Sequence, residues 1–154
     1  MRLTSRSIVS ALFLVLALGL IGGCGESRPD PKSTVKDLFT AMRDADTTAV
    51  RSMVDLRSAA TGITEDLPAI QPADSLTVPD TAAWLLGQMT SEGGRLRQRW
   101  LSDNQIVLGD TEISGDSALV EVSFLDRVTR VQYYNKMRLV FRSDRWVITH
   151  FRTM

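Results

Sequence analysis

The chain of 154 residues contains one cysteine and one histidine, Cys24 and His150. Without a second cysteine the chain forms no internal disulfide, and a zinc site would lack the sulfur and imidazole ligands that it needs. The sequence also lacks a glycine-rich phosphate-binding loop, a serine nucleophile motif and internal repeats. We therefore predict that the protein holds no metal and no cofactor, and that its fold depends on a hydrophobic core.

An excess of charge of one sign is missing as well. The chain has 18 basic and 18 acidic residues, and its net charge is about −2 once residues 1–23 are left out. Proteins that bind nucleic acids use a basic surface to neutralise phosphate groups. Nucleic acid is therefore not a predicted partner.

Long hydrophobic runs are absent except at the amino terminus. Arg2 and Arg6 precede an apolar run of 14 residues from Ile8 to Ile21. A membrane-spanning helix needs about 20 apolar residues, so this run is short for a permanent span. A basic start followed by a short apolar run is typical of a secretory signal peptide, and we predict that residues 1–23 are cleaved.

The end of this run resembles the lipobox of bacterial lipoproteins, with Ile21, Gly22, Gly23 and Cys24 in the matching positions. The resemblance implies transfer of a lipid to the Cys24 thiol, cleavage between Gly23 and Cys24, and acylation of the new amino terminus, for example with palmitate. Two or three acyl chains anchor a protein durably, because each buried methylene contributes about 0.8 kcal/mol. The alternative is an ordinary signal peptide followed by an incidental cysteine.

Residues 24–32 are rich in proline, glycine and charge, so we predict a short tether followed by a single domain over 33–154. Gly25, and not an aspartate, follows the cysteine. The resemblance to sorted lipoproteins therefore implies a position in the cell envelope, at the outer membrane facing the periplasm if the organism has two membranes.

Helical periodicity is clearest just after the tether. Apolar residues recur there at one-turn spacing: Val35, Leu38, Phe39 and Met42. This spacing predicts a helix over about 33–45 with one buried face. Asp46 or Thr47 can cap a second helix that runs to about Ala59.

The middle of the chain is less regular. Residues 61–79 contain three prolines and one glycine, which predicts a long loop on the surface. Asp80 or Thr81 begins a third predicted helix, which Gly93-Gly94 ends.

Residues 95–101 fit two periodicities. Their alternation favours a strand with a basic row on one face, formed by Arg95, Arg97 and Arg99. Leu96 and Trp100 also lie one helical turn apart, so a helix stays open. A basic row on a strand suits anions such as phosphate, carboxylate or lipid headgroups. Alternatively, the row protects an exposed sheet edge from aggregation and has no ligand.

The last fifty residues predict an antiparallel sheet. Strands are expected at 105–113, 118–125, 131–141 and 146–153, with a turn at 114–116. The strand over 118–125 carries apolar residues on both faces, so we expect it to be central.

This order of elements resembles the nuclear transport factor 2-like (cystatin-like) fold, in which a curved sheet wraps around the first helix as a cone. The residues that carry the resemblance are Pro31 to Ala45, Asp46, the Gly115-Asp116-x-Ala118-x-Val120 turn and strand, and Arg145-Trp146-x-Ile148. It implies an α+β domain with two to three amino-terminal helices packed on a curved antiparallel sheet of four to six strands. The superfamily includes isomerase-like enzymes, small-ligand binders and members without known activity, so the fold alone implies no function.

His150 is the first candidate for chemistry. Strict alternation predicts that it shares a sheet face with Trp146 and Ile148 and points into the cone, where an imidazole can act as a general base. The alternative is a structural or solvent-facing histidine, since no acidic partner adjoins it in sequence.

Tyr133 is the second candidate. Tyr133, Tyr134 and Asn135 place polar groups on both faces of one predicted strand, and a tyrosine paired with a carboxylate is the donor pattern of isomerase-like sites. The acids on the predicted strands, however, are expected to face water: Asp110, Glu112 and Glu121. Core packing with the hydroxyls at the rim is the alternative, and Trp84 and Trp100 line a pocket or fill the core.

We therefore expect a non-enzymatic, lipid-anchored envelope protein whose partner is another envelope protein or a small apolar ligand. The alternative is a small-molecule carrier or isomerase-like enzyme that uses a cone cavity lined by four residues: Trp84, Tyr133, Trp146 and His150. A filled cone argues against this alternative, and an open cavity that joins His150 to a buried carboxylate argues for it.

Overall fold

The computed structural model describes residues 28–66 and 78–153. The predicted signal peptide and the lipidation site at Cys24 lie outside the described residues. The described part contains five helices: α1 (Pro31–Arg43), α2 (Thr47–Met53), α3 (Leu56–Asp66), α4 (Val78–Thr90) and α5 (Arg95–Leu101). Within these ranges, no helix is both long enough and apolar enough to cross a membrane.

Four antiparallel strands follow the helices in the order in which they occur in the chain. They are β1 (Asn104–Ser114), β2 (Ser117–Asp126), β3 (Gln132–Arg142) and β4 (Arg145–Thr153). The predicted α+β class is confirmed, and β2 is an internal strand as its two apolar faces predict. Because each strand reverses direction, the sheet has two distinct ends, one at the β1–β2 and β3–β4 turns and the other at the β2–β3 loop.

Helix α1 forms where the apolar spacing predicts it. Asp30 caps the helix by accepting a hydrogen bond from the Lys32 amide at 2.9 Å, and Pro31 suits the first turn because it has no amide proton to satisfy. The predicted apolar face is buried throughout: Val35, Leu38, Phe39 and Met42. The helix therefore begins two residues before the predicted start and packs against the sheet along its length.

The second predicted helix, from Asp46 to about Ala59, is divided in two. Asp46 caps α2 as expected, but the helix ends at Met53 because Val54 is extended and pairs in parallel with Ile148 of β4. The prediction of one continuous helix was wrong because local periodicity contains no information about pairing with a distant strand.

Asp55 restarts the helical conformation. Its amide donates to the Ile148 carbonyl at 2.9 Å, its side chain accepts from the Ser58 amide at 3.2 Å, and its other carboxylate oxygen accepts from Arg142 at 2.9 Å. Helix α3 then continues to Asp66, inside the predicted 61–79 loop, and α4 begins at Val78, so the loop prediction was wrong at both ends. Its middle, 67–77, lies outside the described residues.

Residues 95–101 form helix α5, so the favoured strand was wrong. Leu96 and Trp100 are both almost fully buried on one helical face, and this burial selects the helix over the alternating pattern. Gly94 begins the helix, and a Cβ atom there would collide with the Gln88 backbone. The tight entry therefore requires glycine at this position.

The centre of the domain is filled with aromatic rings. Trp100 lies with its ring centroid 6.0 Å from Phe39, 5.9 Å from Phe124 and 5.2 Å from Phe151. All four side chains are at most 4% exposed, and burial of one such ring stabilises a fold by roughly 1.5–3 kcal/mol. These rings come from α1, α5, β2 and β4, so one cluster joins the helices to the sheet.

Candidate binding cleft

A cleft of about 490 Å³ lies at the β2–β3 end of the sheet, between the end of α5, the start of β1 and the β2–β3 loop. We name it the mouth cleft. Its lining includes Arg99, Asp103, Asn104, Asp126, Val128 and Tyr133. Both polar and apolar groups therefore face the same space.

Tyr133 extends the aromatic core to the mouth cleft. Its ring stacks on Phe124 with centroids 5.0 Å apart and an interplanar angle of 13°. The Arg99 guanidinium lies over the Tyr133 ring, 5.2 Å from its centroid, which is a favourable cation–π distance. The wall of the cleft is thus a rigid aromatic surface with a positive charge beside it.

The Tyr133 hydroxyl joins three elements. It donates a hydrogen bond to the Arg99 carbonyl at the end of α5 and accepts one from Asn104 Nδ2 of β1 at 2.9 Å. Burial raises the pKa of Tyr133, and the nearby charge of Asp126 raises it further, while Arg99 and the Asn104 hydrogen bond oppose this shift. The hydroxyl is therefore neutral at physiological pH and serves as a fixed part of the wall.

Asn104 also carries an acceptor without a partner. Its Oδ1 atom is buried and makes no hydrogen bond among the described residues. Asn135, two residues after Tyr133 on β3, is 2% exposed and has a similarly unpaired Oδ1 atom. A buried acceptor without a donor costs about 1–3 kcal/mol, and neither oxygen has enough accessible surface for a ligand in the cleft to reach it.

Asp126 is one of two carboxylates that line the mouth cleft, together with Asp103, and it was not identified from the sequence. One of its oxygens accepts from the Val128 and Thr129 amides at 2.8 and 2.9 Å, and these backbone hydrogen bonds lower its pKa. An aspartate at the start of a turn usually accepts such hydrogen bonds. The sequence therefore indicates a turn residue at this position and does not indicate that Asp126 lies beside Tyr133. Asp126 stays ionised and therefore cannot act as an acid near neutral pH.

The acids on the strands lie as the sequence indicates. Asp110 and Glu112 are exposed, and Glu121 is half-buried in an ion pair with Lys136 at 2.8 Å. None of these three lines the mouth cleft.

His150 does not share a face with Trp146 and Ile148, and this prediction was wrong. The β3–β4 register shifts at Thr149, so that Leu139 pairs with Ile148 while Arg138 pairs with His150. Directly paired residues project on the same face, and Arg138 is exposed. His150 is therefore on the outer face of the sheet, with Nδ1 buried and unpaired among the described residues.

The predicted cavity lining is not assembled in one place. Trp146 is 1% exposed at the end of the sheet opposite the mouth cleft, and Trp84 packs half-buried against the core. Only Tyr133, of the four predicted lining residues, faces the mouth cleft. The interior that these residues were expected to line is filled by the aromatic cluster.

The predicted arginine row is also rearranged by the helical conformation of α5. Arg97 donates to the carbonyls of Thr90 and Arg43 at 3.2 and 2.8 Å, so it binds the carboxyl-terminal ends of α4 and α1. Arg99 lines the mouth cleft, and Arg95 lies one turn before it. The three guanidinium groups therefore do not form one row.

Metal-ligating side chains are not gathered anywhere in the described ranges. Over residues 28–66 and 78–153, no group of three or more histidine, cysteine, aspartate or glutamate residues is positioned to hold a metal ion.

No protein-family model and no curated protein matches the chain. Among solved structures, the chain is similar to an NTF2-like protein from Campylobacter jejuni, a candidate transpeptidase, with 18% identity, a TM-score of 0.49, and coverage of 78% of this chain and 97% of that chain. It is also similar to a variant of Rd1NTF2_05, with 14% identity, a TM-score of 0.51, and coverage of 80% and 95%. The second similarity confirms the nuclear transport factor 2-like fold. The low identities leave function to be argued from this chain's own residues.

The Tyr133 hydroxyl is expected to stabilise the end of the sheet. Tyr133→Phe removes the hydrogen bonds of the hydroxyl with Asn104 and with the Arg99 carbonyl, which then keep only the bond to each other, and should lower the free energy of unfolding by about 1–2 kcal/mol. Because the folded-state pKa is raised, the unfolded chain ionises first, so stability falls as pH rises above about 10. Tyr133→Phe should reduce this fall.

Urea unfolding between pH 7 and 11 measures both effects. Tyr134→Phe is the matched control, because Tyr134 is exposed on the opposite face. An alkaline fall in stability that is unchanged in Tyr133→Phe would contradict the assignment.

Proposed function

We propose that the protein is a lipid-anchored, non-enzymatic protein of the cell envelope whose domain binds a small ligand or a partner at the mouth cleft. The observation that carries the proposal is the position at which the chain enters the domain. The entry lies at the end of the sheet opposite the mouth cleft. A lipid on Cys24 would therefore hold the end of the sheet with the β1–β2 and β3–β4 turns near the membrane, and it would leave the mouth cleft accessible.

Arg28 and Pro29 attach this entry to the end of the sheet. The Arg28 guanidinium donates to the Gly115 carbonyl at 2.8 Å, pairs with Asp116 at 2.8 Å and lies over the Phe141 ring at 4.7 Å. The Pro29 carbonyl accepts from Trp146 Nε1 at 2.7 Å. Both residues thus contact the tips of the β1–β2 and β3–β4 hairpins.

Chain lengths support this orientation. Four residue steps join Cys24 to Arg28, which limits their separation to about 14 Å. Strand β2 has ten residues and spans about 33 Å from the hairpin tip to Asp126 in the mouth cleft. Under the proposal, the cleft therefore faces the aqueous compartment, and its distance from the bilayer is roughly the length of the domain.

The chemistry of the cleft favours an amphipathic ligand. The Tyr133 ring and the 77% exposed Val128 offer apolar contact, and the Asp126 carboxylate offers a charged acceptor. A small molecule or partner side chain with an apolar body and an amine, amide or hydroxyl donor satisfies both. The fold also suits such a site, since many of its members bind small ligands.

The same geometry disfavours the isomerase-like alternative. Tyr133 and Asp126 share the cleft, but the hydroxyl already makes two hydrogen bonds and the carboxylate is held ionised by backbone amides. His150 lies on the outer face of the sheet. Tyr133, Asp126 and His150 therefore do not form a pair that is ready to move a proton between substrate atoms.

Lipidation is tested by removing the thiol. Cys24→Ala should abolish incorporation of labelled palmitate and leave the precursor uncut, because no other cysteine is available for acylation. Metabolic labelling and intact-mass measurement of membrane fractions give the result, with Ser27→Ala as the control. Normal mass and normal membrane retention of Cys24→Ala would contradict the lipid anchor.

Orientation is tested with engineered cysteines, which are the only free thiols once Cys24 is acylated. Ser114→Cys labels the hairpin end and Val128→Cys labels the mouth, and both native side chains are exposed. Bimane on residue 114 should be quenched strongly by nitroxide lipids in vesicles, whereas bimane on residue 128 should be quenched at most weakly. Equal quenching at both positions in the lipidated protein would contradict the proposed orientation.

Arg28→Glu is the companion variant for this measurement. It breaks the contacts with Gly115 and Asp116, so the difference between the two labels should shrink. The same labels on a chain that begins at residue 24 and carries Cys24→Ala, and so has neither the lipid nor the apolar run, should show no lipid quenching. This control separates failure of the anchor from failure of the orientation.

Binding at the mouth cleft is tested with dansylamide, which has an aromatic body and a sulfonamide donor. Val128→Glu places a charge on the apolar rim and should weaken binding about tenfold, equivalent to about 1.4 kcal/mol. Val131→Glu is the matched control, since Val131 is exposed in the same loop but does not line the cleft. Fluorescence titration measures the dissociation constants. Absence of saturable binding, or equal weakening by both variants, would contradict the proposed site.

A further inference from the structure

Strand β1 is an edge of the sheet. It pairs with β2 on one side, and in the part of the chain that the structure describes no strand pairs with its other side. The opposite edge is different, because Val54 and Asp55 bond to β4 there. An unpaired edge presents a row of backbone donors and acceptors that another extended chain can use.

A groove runs beside this edge. The inner side chains Ile106 and Leu108 of β1 are only half-buried and face helix α1 across a space of about 310 Å³. We name it the edge groove. Its lining is Lys36, Phe39, Thr40, Arg43, Ile106 and Leu108. It shares no lining residue with the mouth cleft.

The charge of the edge groove has one sign. Lys36 and Arg43 are exposed, neither has an ion pair within the described ranges, and no acidic side chain is in the lining. The two residues lie seven positions apart on α1, which is about 10 Å along the helix. The groove therefore complements an apolar segment that also carries negative charge.

The length of regular edge is limited. The β1–β2 register is continuous from Asn104 to Leu108 and then shifts before Thr111, where a bulge interrupts the ladder. A bulge bends an edge and stops pairing from extending along it. The available template is thus about five residues long, which suits a short segment and opposes indefinite sheet growth.

The geometry points to a short, extended, acidic peptide of a partner protein as the occupant of this edge. We propose that the peptide adds to β1 as a fifth strand, that alternate apolar side chains enter the edge groove, and that acidic side chains on the same face contact Lys36 and Arg43. Main-chain hydrogen bonds would give affinity and the groove would give specificity, as in other cases of strand addition. A lipid fits the apolar and charged parts of the groove but cannot pair with the backbone of β1. The proposal depends on neither the lipid anchor nor the mouth cleft.

The test uses two fluorescein-labelled decapeptides in which threonine alternates with groove-facing residues. In the first peptide, the five groove-facing residues are leucine, glutamate, leucine, glutamate and leucine. Its two glutamates are four residues apart, which is about 13 Å in an extended chain. The second has lysine in place of glutamate. Fluorescence anisotropy should give about tenfold tighter binding of the glutamate peptide at low salt. Hydrogen exchange of the β1 amides should slow when it binds.

The decisive variant reverses the charge of the groove. Lys36→Glu combined with Arg43→Glu should make the protein prefer the lysine peptide, a gain that loss of folding cannot produce. Arg51→Glu combined with Arg57→Glu is the matched control, because both arginines are exposed on α2 and α3 away from the groove.

Several outcomes would overturn the proposal. They are equal affinity of the native protein for both peptides, no binding of either, binding without protection of β1, or an unchanged preference in the charge-reversed variant. Protection of the β1 amides that depends on protein concentration without peptide would assign the edge to a second copy of the chain instead.

Discussion

The packing of Trp100 is the constraint on which the rest of the structure depends. Its ring contacts Phe39, Phe124 and Phe151, which belong to three different elements, and it can do so only because residues 95–101 are helical. In the described part of the chain, these rings and the buried aliphatic side chains occupy the centre of the domain. Polar groups line the space where the aromatic stack ends, at Tyr133, and this is why the mouth cleft and not a central cavity carries the functional proposal.

Two irregularities in the sheet direct side chains and partners. The shift at Thr149 places His150 on the outer face of the sheet and Phe151 in the core. One extra residue in β4 therefore puts an aromatic ring, and not an imidazole, on the inner face. The shift after Leu108 ends the regular part of β1 and limits the length over which a second chain can pair. Both bulges are local changes in hydrogen bonding. The first determines which side chains face the core, and the second determines how much of the β1 edge can pair with another chain.

The parts of the fold that follow from local periodicity were predictable. The buried stripe of α1 and the alternation in β2 and β3 depend on neighbours in sequence, and the structure confirms them. The break at Val54 was not predictable, because it depends on pairing with Ile148 more than ninety residues away. The predicted position of His150 on the inner face was wrong for a similar reason, because strict alternation assumes that no extra residue interrupts the pairing of β3 with β4. Asn104 and Asp126 were missed because each lies at a strand end and is interpreted locally as a cap or turn residue.

The ionisation states of the mouth cleft add a physical argument about its role. Backbone hydrogen bonds lower the pKa of Asp126, and burial raises the pKa of Tyr133. Both pKa values therefore move away from neutral pH. The carboxylate therefore stays charged and the hydroxyl stays neutral across the whole range near neutral pH. A general acid or base needs a pKa close to the working pH, and neither group is tuned toward that range. Ionisation states that do not change with pH near neutrality suit recognition, which is the role that we propose for the cleft.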